Sequence, residues 1–363
     1  MWLEQVTLRH FRNIPAAEVE LSPQVTVLVG DNGQGKTNFL EAVYALATLR
    51  PLRAQRPSEL IQAGEREAVV EGRVQAEVGH HLRLRLRPGQ REEQVDGKRP
   101  ESVEAWCRHL QVVAFLPDDL EIAKGGPAQR RRWLDRAVFT SRPAYLAAWR
   151  RYHRVLKARN RLLRDAPPSM EAQLEAFDPP LAAAAAELCR HRLAYLDRLR
   201  PYAAGLVDEI AGIPSGFELR YLTAGVEAPT DPEAWLVALA GRRDRDRRRG
   251  HSTLGPHTDS LELTLGDRDL RAYGSQGQQR TAVLGLKIAE IEQLRDQRGE
   301  APLLLLDDVA SELDPKRNAK LLAYLAGFDG QTLITTTHRD LAPVPSAGGL
   351  RWWEVEGGSL RPG

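Results

Sequence analysis

Gly30-Asp-Asn-Gly-Gln-Gly-Lys-Thr37 matches the pattern G-x-x-x-x-G-K-S/T of a phosphate-binding loop. The run follows Val25-Thr-Val-Leu-Val29, a compact apolar segment that predicts a strand, and precedes residues 37–49, whose apolar spacing predicts a helix. This strand-loop-helix context is the one that the motif requires. Glycines let the backbone wrap closely around phosphates, and the backbone N–H groups and the helix N-terminus supply positive potential.

Two side chains of this loop have predicted roles of their own. We expect Lys36 to reach the outer phosphates and Thr37 to ligate Mg²⁺. The residues of this segment that are predicted to bind nucleotide are Gly30, Asp31, Asn32, Gly33, Gln34, Gly35, Lys36, Thr37 and Asn38. The alternative, a glycine-rich turn that binds no ligand, is disfavoured by the flanking elements.

A second strand signal, far along the chain, ends in two carboxylates at Leu303-Leu-Leu-Leu-Asp-Asp308. Placed at the carboxyl edge of a sheet, this acidic element suits a position beside the phosphate loop. We expect Asp307 to hold Mg²⁺, directly or through water, and Asp308 to polarise the attacking water as a general base. Asp308, Lys36 and Asp307 are therefore the predicted catalytic residues. A pair of Asp residues that begins a turn is the alternative interpretation.

The composition excludes several classes of protein. The chain has 363 residues, 42% of them hydrophobic, enough for a sizeable core and, by size, about two or three domains. Its 51 Lys and Arg residues against 49 Asp and Glu residues leave a formal charge of +2, which by itself indicates no partner. Two cysteines are too few for a disulfide framework or a four-cysteine zinc site. With neither a signal peptide nor an apolar run of roughly 18 residues, the sequence predicts a cytoplasmic protein without a membrane segment.

The order of strand and helix signals predicts a split α/β domain. Residues 66–96 alternate apolar and polar residues between turn signals and predict antiparallel hairpins. From about residue 128 to 241 the chain is rich in Arg, Ala and Leu with helical spacing, after which strand signals return. We therefore predict one domain from residues 1–115 and 250–363, interrupted by a helical insertion at residues 116–249.

Two further motifs resemble those of ABC-type ATPases, in the order that this family uses. Tyr273-Gly-Ser-Gln-Gly-Gln-Gln-Arg280 resembles the signature motif, and Ser311-Glu-Leu-Asp314 resembles the D-loop. The resemblance implies an ABC-type ATPase head, mixed α/β with an antiparallel β subdomain, that carries an inserted helical arm. It also implies that the signature of one subunit, here Ser275, Gly277 and Gln278, closes over the ATP held by the phosphate loop of another. Ser311 and Asp314 are the corresponding D-loop residues.

Most of the chain resembles the RecF family of bacterial recombinational-repair proteins, which are related to SMC heads. The resemblance rests on Leu8-Arg-His-Phe-Arg-Asn13, the phosphate loop, Phe115-Leu-Pro-Asp-Asp-Leu120, Gly126-Pro-Ala-Gln-Arg-Arg-Arg-Trp-Leu-Asp135, Ser275 to Arg280 and Leu305 to Asp314. It implies that Arg12 and Asn13 also belong to the nucleotide site. It further implies an ATP-dependent homodimer on duplex or gapped DNA that assists loading of the recombinase RecA, with RecR and RecO as partners.

The rate of hydrolysis and the switch residue depend on finer features of the motifs. ABC transporters usually have Glu where Asp308 stands, and the shorter carboxylate predicts slow hydrolysis. The predicted activity is that of a weak, DNA-dependent ATPase. His338, after Thr335-Thr-Thr337, is the candidate switch that senses the γ-phosphate. Two alternatives stay open: a neighbouring Thr takes this role, or His338 is an ordinary surface histidine.

The predicted insertion carries a dense basic segment. Residues 130–164 contain twelve Lys or Arg residues and a single acid, Asp135. In a helix over residues 144–164, the apolar stripe would be Tyr145, Trp149, Tyr152, Leu156 and Leu163. The opposite face would carry the candidate DNA contacts Arg150, Arg154, Lys157, Arg161 and Arg164, which neutralise phosphates without reading bases. A solvated helix face is the alternative. Residues 242–249 are a second candidate, although their interleaved Asp residues suit an exposed linker better.

Two other functions share parts of this motif set. A transporter ATPase subunit has the same phosphate loop and signature, but the 241 positions between Lys36 and Gly277 exceed its usual spacing, and the insertion is basic instead of apolar. An SMC-type structural ATPase needs long uninterrupted heptads between the two halves of its head. The prolines at 167, 168, 179, 180 and 201 predict short helices there instead.

Overall fold

The computed structural model of the chain describes residues 1–54, 56–309, 313–337 and 349–363. The strands are β1 Trp2–Phe11, β2 Ile14–Glu20, β3 Val25–Val29, β4 Ala68–Gln75, β5 His80–Arg87, β6 Gln90–Val95, β7 Val112–Phe115, β8 Phe217–Leu222, β9 Ser260–Leu265, β10 Arg268–Asp269, β11 Leu303–Asp307, β12 Thr332–Thr336, β13 Leu350–Glu356 and β14 Ser359–Pro362. The helices are α1 Lys36–Thr48, α2 Val103–Cys107, α3 Glu121–Lys124, α4 Pro127–Ser141, α5 Tyr145–Asp165, α6 Met170–Ala211, α7 Pro232–Ala240, α8 Arg243–Arg249, α9 Leu270–Tyr273, α10 Gln276–Arg298 and α11 Pro315–Ala326. Short 3-10 turns lie at Pro57–Leu60 and Pro117–Leu120.

The chain divides into two compact units. The first unit contains Met1–Asp119 and Glu290–Gly363, and the second unit contains Leu120–Ala289. The boundary near residue 290 falls inside α10, whereas the sequence placed the return to the first domain at residue 250. The predicted domain limits, 1–115 with 250–363 and 116–249, stay a prediction about folding domains.

A mixed sheet of six described strands forms one layer of the first unit, in the order β14-β13-β3-β12-β11-β7. The strands from β13 to β7 are parallel to their neighbours, and β14 is antiparallel at one edge. The predicted strands at residues 25–29 and 303–306 are confirmed as β3 and β11, and they are separated by β12 alone. Since parallel strands end at the same edge, the phosphate loop and the Asp pair emerge there together.

The other described sheet of this unit is antiparallel, with the strand order β2-β1-β4-β5-β6. Its last three strands confirm the hairpins predicted at residues 66–96. Helix α1 contacts strands of both sheets, and residues 39–48 are all buried. A helix that is mostly apolar around its circumference suits this place between two layers. The mixed α/β head with an antiparallel β subdomain is therefore confirmed.

The second unit is mostly helical, as the sequence predicted, but two of its helices were not foreseen. The prolines at 167 and 168 lie between α5 and α6, as expected. The expectation that those at 179, 180 and 201 cut the region into short helices is wrong, because α6 runs for 42 residues with all three inside it. An interior proline costs about 3 kcal/mol. Burial of one Leu side chain contributes about 1.5–3 kcal/mol, and α6 buries a series of them against its surroundings. Tertiary burial thus outweighs the local penalty.

The charge run at residues 242–249 forms helix α8 and not a linker, although residues 244, 245 and 247–249 are exposed as expected. Asp246 is fully buried and Arg243 is largely covered.

Strand β8 was also not predicted; it pairs with β9 in a small sheet of three described strands. Among the helices of the described residues, no long apolar segment meets the requirements for crossing a membrane.

Candidate nucleotide and nucleic-acid sites

The phosphate loop connects β3 to α1 in a conformation that requires glycine. Gly33 and Gly35 have φ values of 82° and 119°, in the left-handed region that favours glycine. A Cβ atom at Gly30 would lie 2.2 Å from the carbonyl oxygen of Val355. Residues 31–33 are exposed, so the loop presents its backbone N–H groups next to the N-terminus of a buried helix. This is the geometry of an anion site.

Lys36 is buried against the loop that it belongs to. Its Nζ donates to the carbonyl oxygens of Gly30, at 2.5 Å, and Asp31, at 2.8 Å. Burial lowers the pKa of Lys36, and the charges of Asp308, Asp307 and Asp31 oppose that shift. A phosphate oxygen is a stronger acceptor for an ammonium group than a carbonyl. The side chain is therefore held where an entering phosphate can replace these carbonyls as its partner.

Asp307 and Thr37 meet where the two strands end. Thr37 Oγ1 donates to Asp307 Oδ1 at 2.7 Å, and Thr335 Oγ1 donates to the same oxygen at 2.8 Å. Neighbouring ligands on Mg²⁺ lie about 3 Å apart, and Mg²⁺ bound with phosphates and waters takes only one or two protein oxygens. No group of three or more His, Cys, Asp or Glu residues that could hold a metal occurs in the described part of the chain. Thr37 and Asp307 fit a Mg²⁺ site with two protein oxygens, in which phosphates and waters supply the other ligands.

Asp308 leaves the strand in an unusual conformation. Its φ value is 48°, which costs roughly 1 kcal/mol for a residue other than glycine. Its N–H lies 3.2 Å from the Thr335 carbonyl oxygen and 3.0 Å from Thr335 Oγ1. The β12 residue Thr335 therefore supports both members of the Asp pair. The general-base role of Asp308 stays a prediction.

Arg12 and Asn13 reach the site through different neighbours. Arg12 makes two bonds, of 2.9 and 2.8 Å, to one carboxylate oxygen of the buried Glu41. Asn13 donates to the carbonyl oxygen of Gln34 at 3.1 Å and accepts from Asn38 at 2.8 Å. Both residues thus brace the elements that carry the phosphate loop. Direct contact with nucleotide stays a prediction for both.

Sequence reasoning missed Glu41 and Arg53. The other oxygen of Glu41 accepts from the backbone N–H groups of Arg53 and Ala54, at 3.0 and 3.2 Å. Arg53 Nη1 lies 3.8 Å from Asp307 Oδ2. The sequence did contain a signal for Glu41: it is an acid in an otherwise mostly apolar helix, one turn after Thr37. Such a position predicts a buried carboxylate, and a buried carboxylate requires hydrogen-bond or ionic partners.

The signature residues lie in the second unit, around the start of α10. Ser275 and Gln278 cap each other: the Ser275 N–H donates to Gln278 Oε1 at 2.9 Å, and the Gln278 N–H donates to Ser275 Oγ at 3.2 Å. Gly277 lies between them, and both capping side chains are exposed. This capping box fixes the helix N-terminus with its surface open to solvent.

The two remaining motif predictions are only partly covered by the structure. Asp314 caps α11 by accepting from the Arg317 N–H, and its side chain also pairs with the Arg317 guanidinium. Ser311 and His338 lie outside the described residues. The D-loop role of Ser311 and the switch role of His338 therefore stay predictions.

Helix α5 has the two faces that its sequence predicts. Tyr145, Tyr152, Leu156 and Leu163 are buried. Trp149, the fifth residue of the predicted stripe, is only partly buried. Arg151 is exposed, and so are all the candidate DNA contacts: Arg150, Arg154, Lys157, Arg161 and Arg164. Two other members of the basic segment, Arg130 and Arg159, are buried and cannot contribute to a phosphate-binding surface. Fewer of the twelve basic residues are therefore available to bind phosphates than the count suggested.

Comparison with known proteins identifies the family. The family model described as "RecF/RecN/SMC N terminal domain" matches residues 2–344. The chain is 46% identical to the DNA replication and repair protein RecF of Anaeromyxobacter sp., covering 100% of this chain and 99% of the relative. It is 45% identical to the protein of that name from Myxococcus xanthus, covering 99% and 97%. The chain belongs to the RecF family.

Solved structures of the RecF family have the same fold as this chain. The recombination mediator protein RecF–ATPrS in the RecFOR pathway superposes with a TM-score of 0.90 at 30% identity, covering 99% of this chain and 98% of that one. The RecF–ATP structure of that pathway superposes with a TM-score of 0.87 at 31% identity, covering 99% and 97%. An Smc head from Pyrococcus furiosus, 16% identical with a TM-score of 0.53 and coverage of 100% and 96%, shows the shared fold alone.

Proposed function

We propose that this member of the RecF family is an ATP-dependent DNA-binding clamp of recombinational repair. The observation that carries the proposal is the meeting of Thr37, Asp307 and the buried Lys36 at one glycine-rich loop. Relatives 46% and 45% identical over nearly their whole length are named DNA replication and repair proteins. Two solved relatives carry ATP or ATPrS in their descriptions.

The nucleotide step assigns one role to each group of the loop. Backbone N–H groups of residues 31–37 bind the phosphates, and Lys36 neutralises their outer charge. Thr37 and Asp307 would hold Mg²⁺, which would supply charge neutralisation at the phosphates. Asp308 accepts the proton of the attacking water. Its short side chain makes hydrolysis slow, which suits a clamp that must persist on DNA.

The clamp closes when a second copy completes the site. The exposed corner at Ser275, Gly277 and Gln278 offers a hydroxyl, backbone N–H groups and a helix N-terminus, which together attract a γ-phosphate. ATP then favours a head-to-tail dimer because the corner binds it with groups that one copy alone cannot provide. Hydrolysis removes these interactions and releases the dimer.

The DNA step uses the exposed cations of α5. They would bind successive phosphates of duplex or gapped DNA without reading bases, so the binding is tolerant of sequence and sensitive to salt. By family resemblance, RecR and RecO are the partners with which the clamp assists RecA loading. The α/β domain then serves as the ATPase head and the helical insertion as its arm. A role in DNA repair supports a cytoplasmic location.

The test measures binding of fluorescent duplex and gapped DNA by anisotropy, with and without Mg-ATP. We expect ATP to tighten binding by the native chain. A Lys36→Ala variant no longer neutralises the triphosphate and should bind DNA equally with and without ATP. A native chain whose DNA affinity ignores ATP would contradict the clamp and leave a simple nucleotide-binding protein.

A further inference from the structure

Gln34, at the centre of the phosphate loop, accepts hydrogen bonds from the turn that joins β13 to β14. Its carbonyl oxygen accepts from the Gly358 N–H at 2.8 Å and from Asn13 Nδ2 at 3.1 Å. Its side-chain Oε1 accepts from the Gly357 N–H at 2.7 Å. Two consecutive backbone N–H groups of the hairpin turn therefore hold one residue of the loop.

The hairpin approaches the loop so closely that side chains are excluded between them. Gly357 and Gly358 have φ values of 53° and 82°. A Cβ atom at Gly358 would lie 2.0 Å from the Asn13 carbonyl oxygen, and one at Gly30 would lie 2.2 Å from the Val355 carbonyl oxygen. Backbone of β13 therefore lies against the start of the loop, and backbone of the turn lies against Asn13, whose side chain is bonded to Gln34. Such close approaches cannot be relieved by rotation of a side chain.

This packing bears on the energetics of phosphate binding. Gln34 lies between Gly33 and Gly35, and glycine loses more conformational freedom on ordering than any other residue. A loop that is already held in its bound form has less of this entropy to lose when its ligand arrives. The hairpin turn supplies that restraint through the carbonyl and side-chain oxygens of Gln34, and these two bonds use none of the loop's N–H donors.

We infer that the β13–β14 turn is a working part of the nucleotide site and that Gln34 is the positioning residue that couples them. The inference rests on the proposed function, since it concerns the same triphosphate. Coupling is reciprocal: if the turn helps to order the loop for nucleotide, bound nucleotide must in turn stabilise the turn.

The first test replaces the acceptor and keeps the length of the side chain, with Gln34→Met. Affinity for a fluorescent ATP analogue in the presence of Mg²⁺ should fall by about two- to tenfold, the effect of one net hydrogen bond. The matched control Gln90→Met, at an exposed position of β6, should bind as the native chain does. If Gln34→Met binds the analogue as tightly as the native chain, the inference is overturned and the proposed function stands.

The second test reads the turn directly, by hydrogen exchange at the Gly357 and Gly358 amides. Saturating Mg-ATP should slow exchange at both amides in the native chain and in Gln90→Met, and should slow it less in Gln34→Met. A merely structural role of Gln34 would not make this protection depend on nucleotide. Exchange that is the same with and without nucleotide, in a native chain shown to bind ATP, overturns the inference. A native chain that binds no ATP overturns the proposed function itself.

Discussion

Arg159 and Arg161 lie two positions apart in α5 and have the same charge, but their surroundings give them different roles. Arg159 is fully buried; its Nε donates to Asp178 at 3.1 Å, and its Nη1 donates to Asp246 at 2.7 Å and to Ser252 at 2.8 Å. Arg161 is 79% exposed and forms an ion pair with Asp165, one turn along the helix, at 3.4 Å. The first arginine holds α6 and α8 to α5, and the second faces solvent.

Substituting each arginine by methionine separates these roles. Removing one partner of a buried ion pair costs about 3–5 kcal/mol, because the remaining charge stays buried without compensation. We therefore expect Arg159→Met to lower the free energy of unfolding by about this amount in urea denaturation. Arg161→Met, the matched control, should change it by less than about 0.5 kcal/mol. Equal stability of the two variants would show that the buried network contributes little.

The sequence contained a signal for Arg159 that the charge count concealed. Arg159 follows Tyr152 and Leu156 and precedes Leu163 at helical spacing, on the apolar stripe instead of the cation face. Its spacing therefore predicts burial, which requires acidic partners. Those partners, Asp178 and Asp246, come from other helices, and no local pattern indicates which acids they are. The same limit applies to Glu41, whose partner Arg53 lies in a loop.

At the level of elements, local rules succeeded where the hydrophobic pattern and the turn signals agreed. The strand-loop-helix at residues 25–48 and the hairpins from Ala68 to Val95 have both signals, and both are confirmed. They failed for α6, because a proline penalty acts locally whereas the compensating burial is tertiary. They also failed for α8, since its alternating charges pair with residues far along the chain.

The exposed face of α5 is the element that tests the DNA proposal. Charge reversal at Arg154 and Arg161 together removes two candidate partners of DNA phosphates and adds repulsion. We expect weaker binding of duplex DNA in anisotropy titrations over a series of salt concentrations. The slope of log affinity against log salt should fall by about 0.9 for each phosphate that the variant no longer neutralises. Nucleotide affinity should stay at the native value, because these side chains lie outside the phosphate loop.

The matched control reverses two exposed arginines of the first unit, Arg99 and Arg108, and so changes the net charge by the same amount. If binding depends on the α5 row, this control retains native affinity and salt slope. Equal losses of affinity in both double variants would assign the effect to total charge. Native affinity in the α5 variant would place the DNA surface elsewhere on the molecule.

At the scale of the whole molecule, the nucleotide half-site is assembled from distant parts of the sequence. Thr37 Oγ1 lies 2.7 Å from Asp307 Oδ1, although the two residues are 270 positions apart in the sequence. They meet because β3, β12 and β11 are adjacent parallel strands. The two motifs predicted this meeting, since each requires the other to bind a metal-nucleotide complex. They could not predict the hairpin turn against Gln34, because the donors of this contact are backbone N–H groups, which leave no mark in the sequence beyond two glycines.

The half-site in each copy leaves one question that only the assembly answers: whether the Ser275 corner closes over the nucleotide of a second copy. We expect light scattering to give the mass of a monomer without nucleotide, of a dimer with ATP, and of a dimer bound to DNA when duplex is added. Ser275→Arg places a long side chain in the corner that must approach the partner. This variant should bind nucleotide yet stay monomeric, whereas Lys36→Ala should neither bind nucleotide nor dimerise. If Ser275→Arg dimerises at the ATP concentration that dimerises the native chain, the Ser275 corner is not part of the interface. If the native chain has the same mass under all three conditions, ATP-driven closure is contradicted.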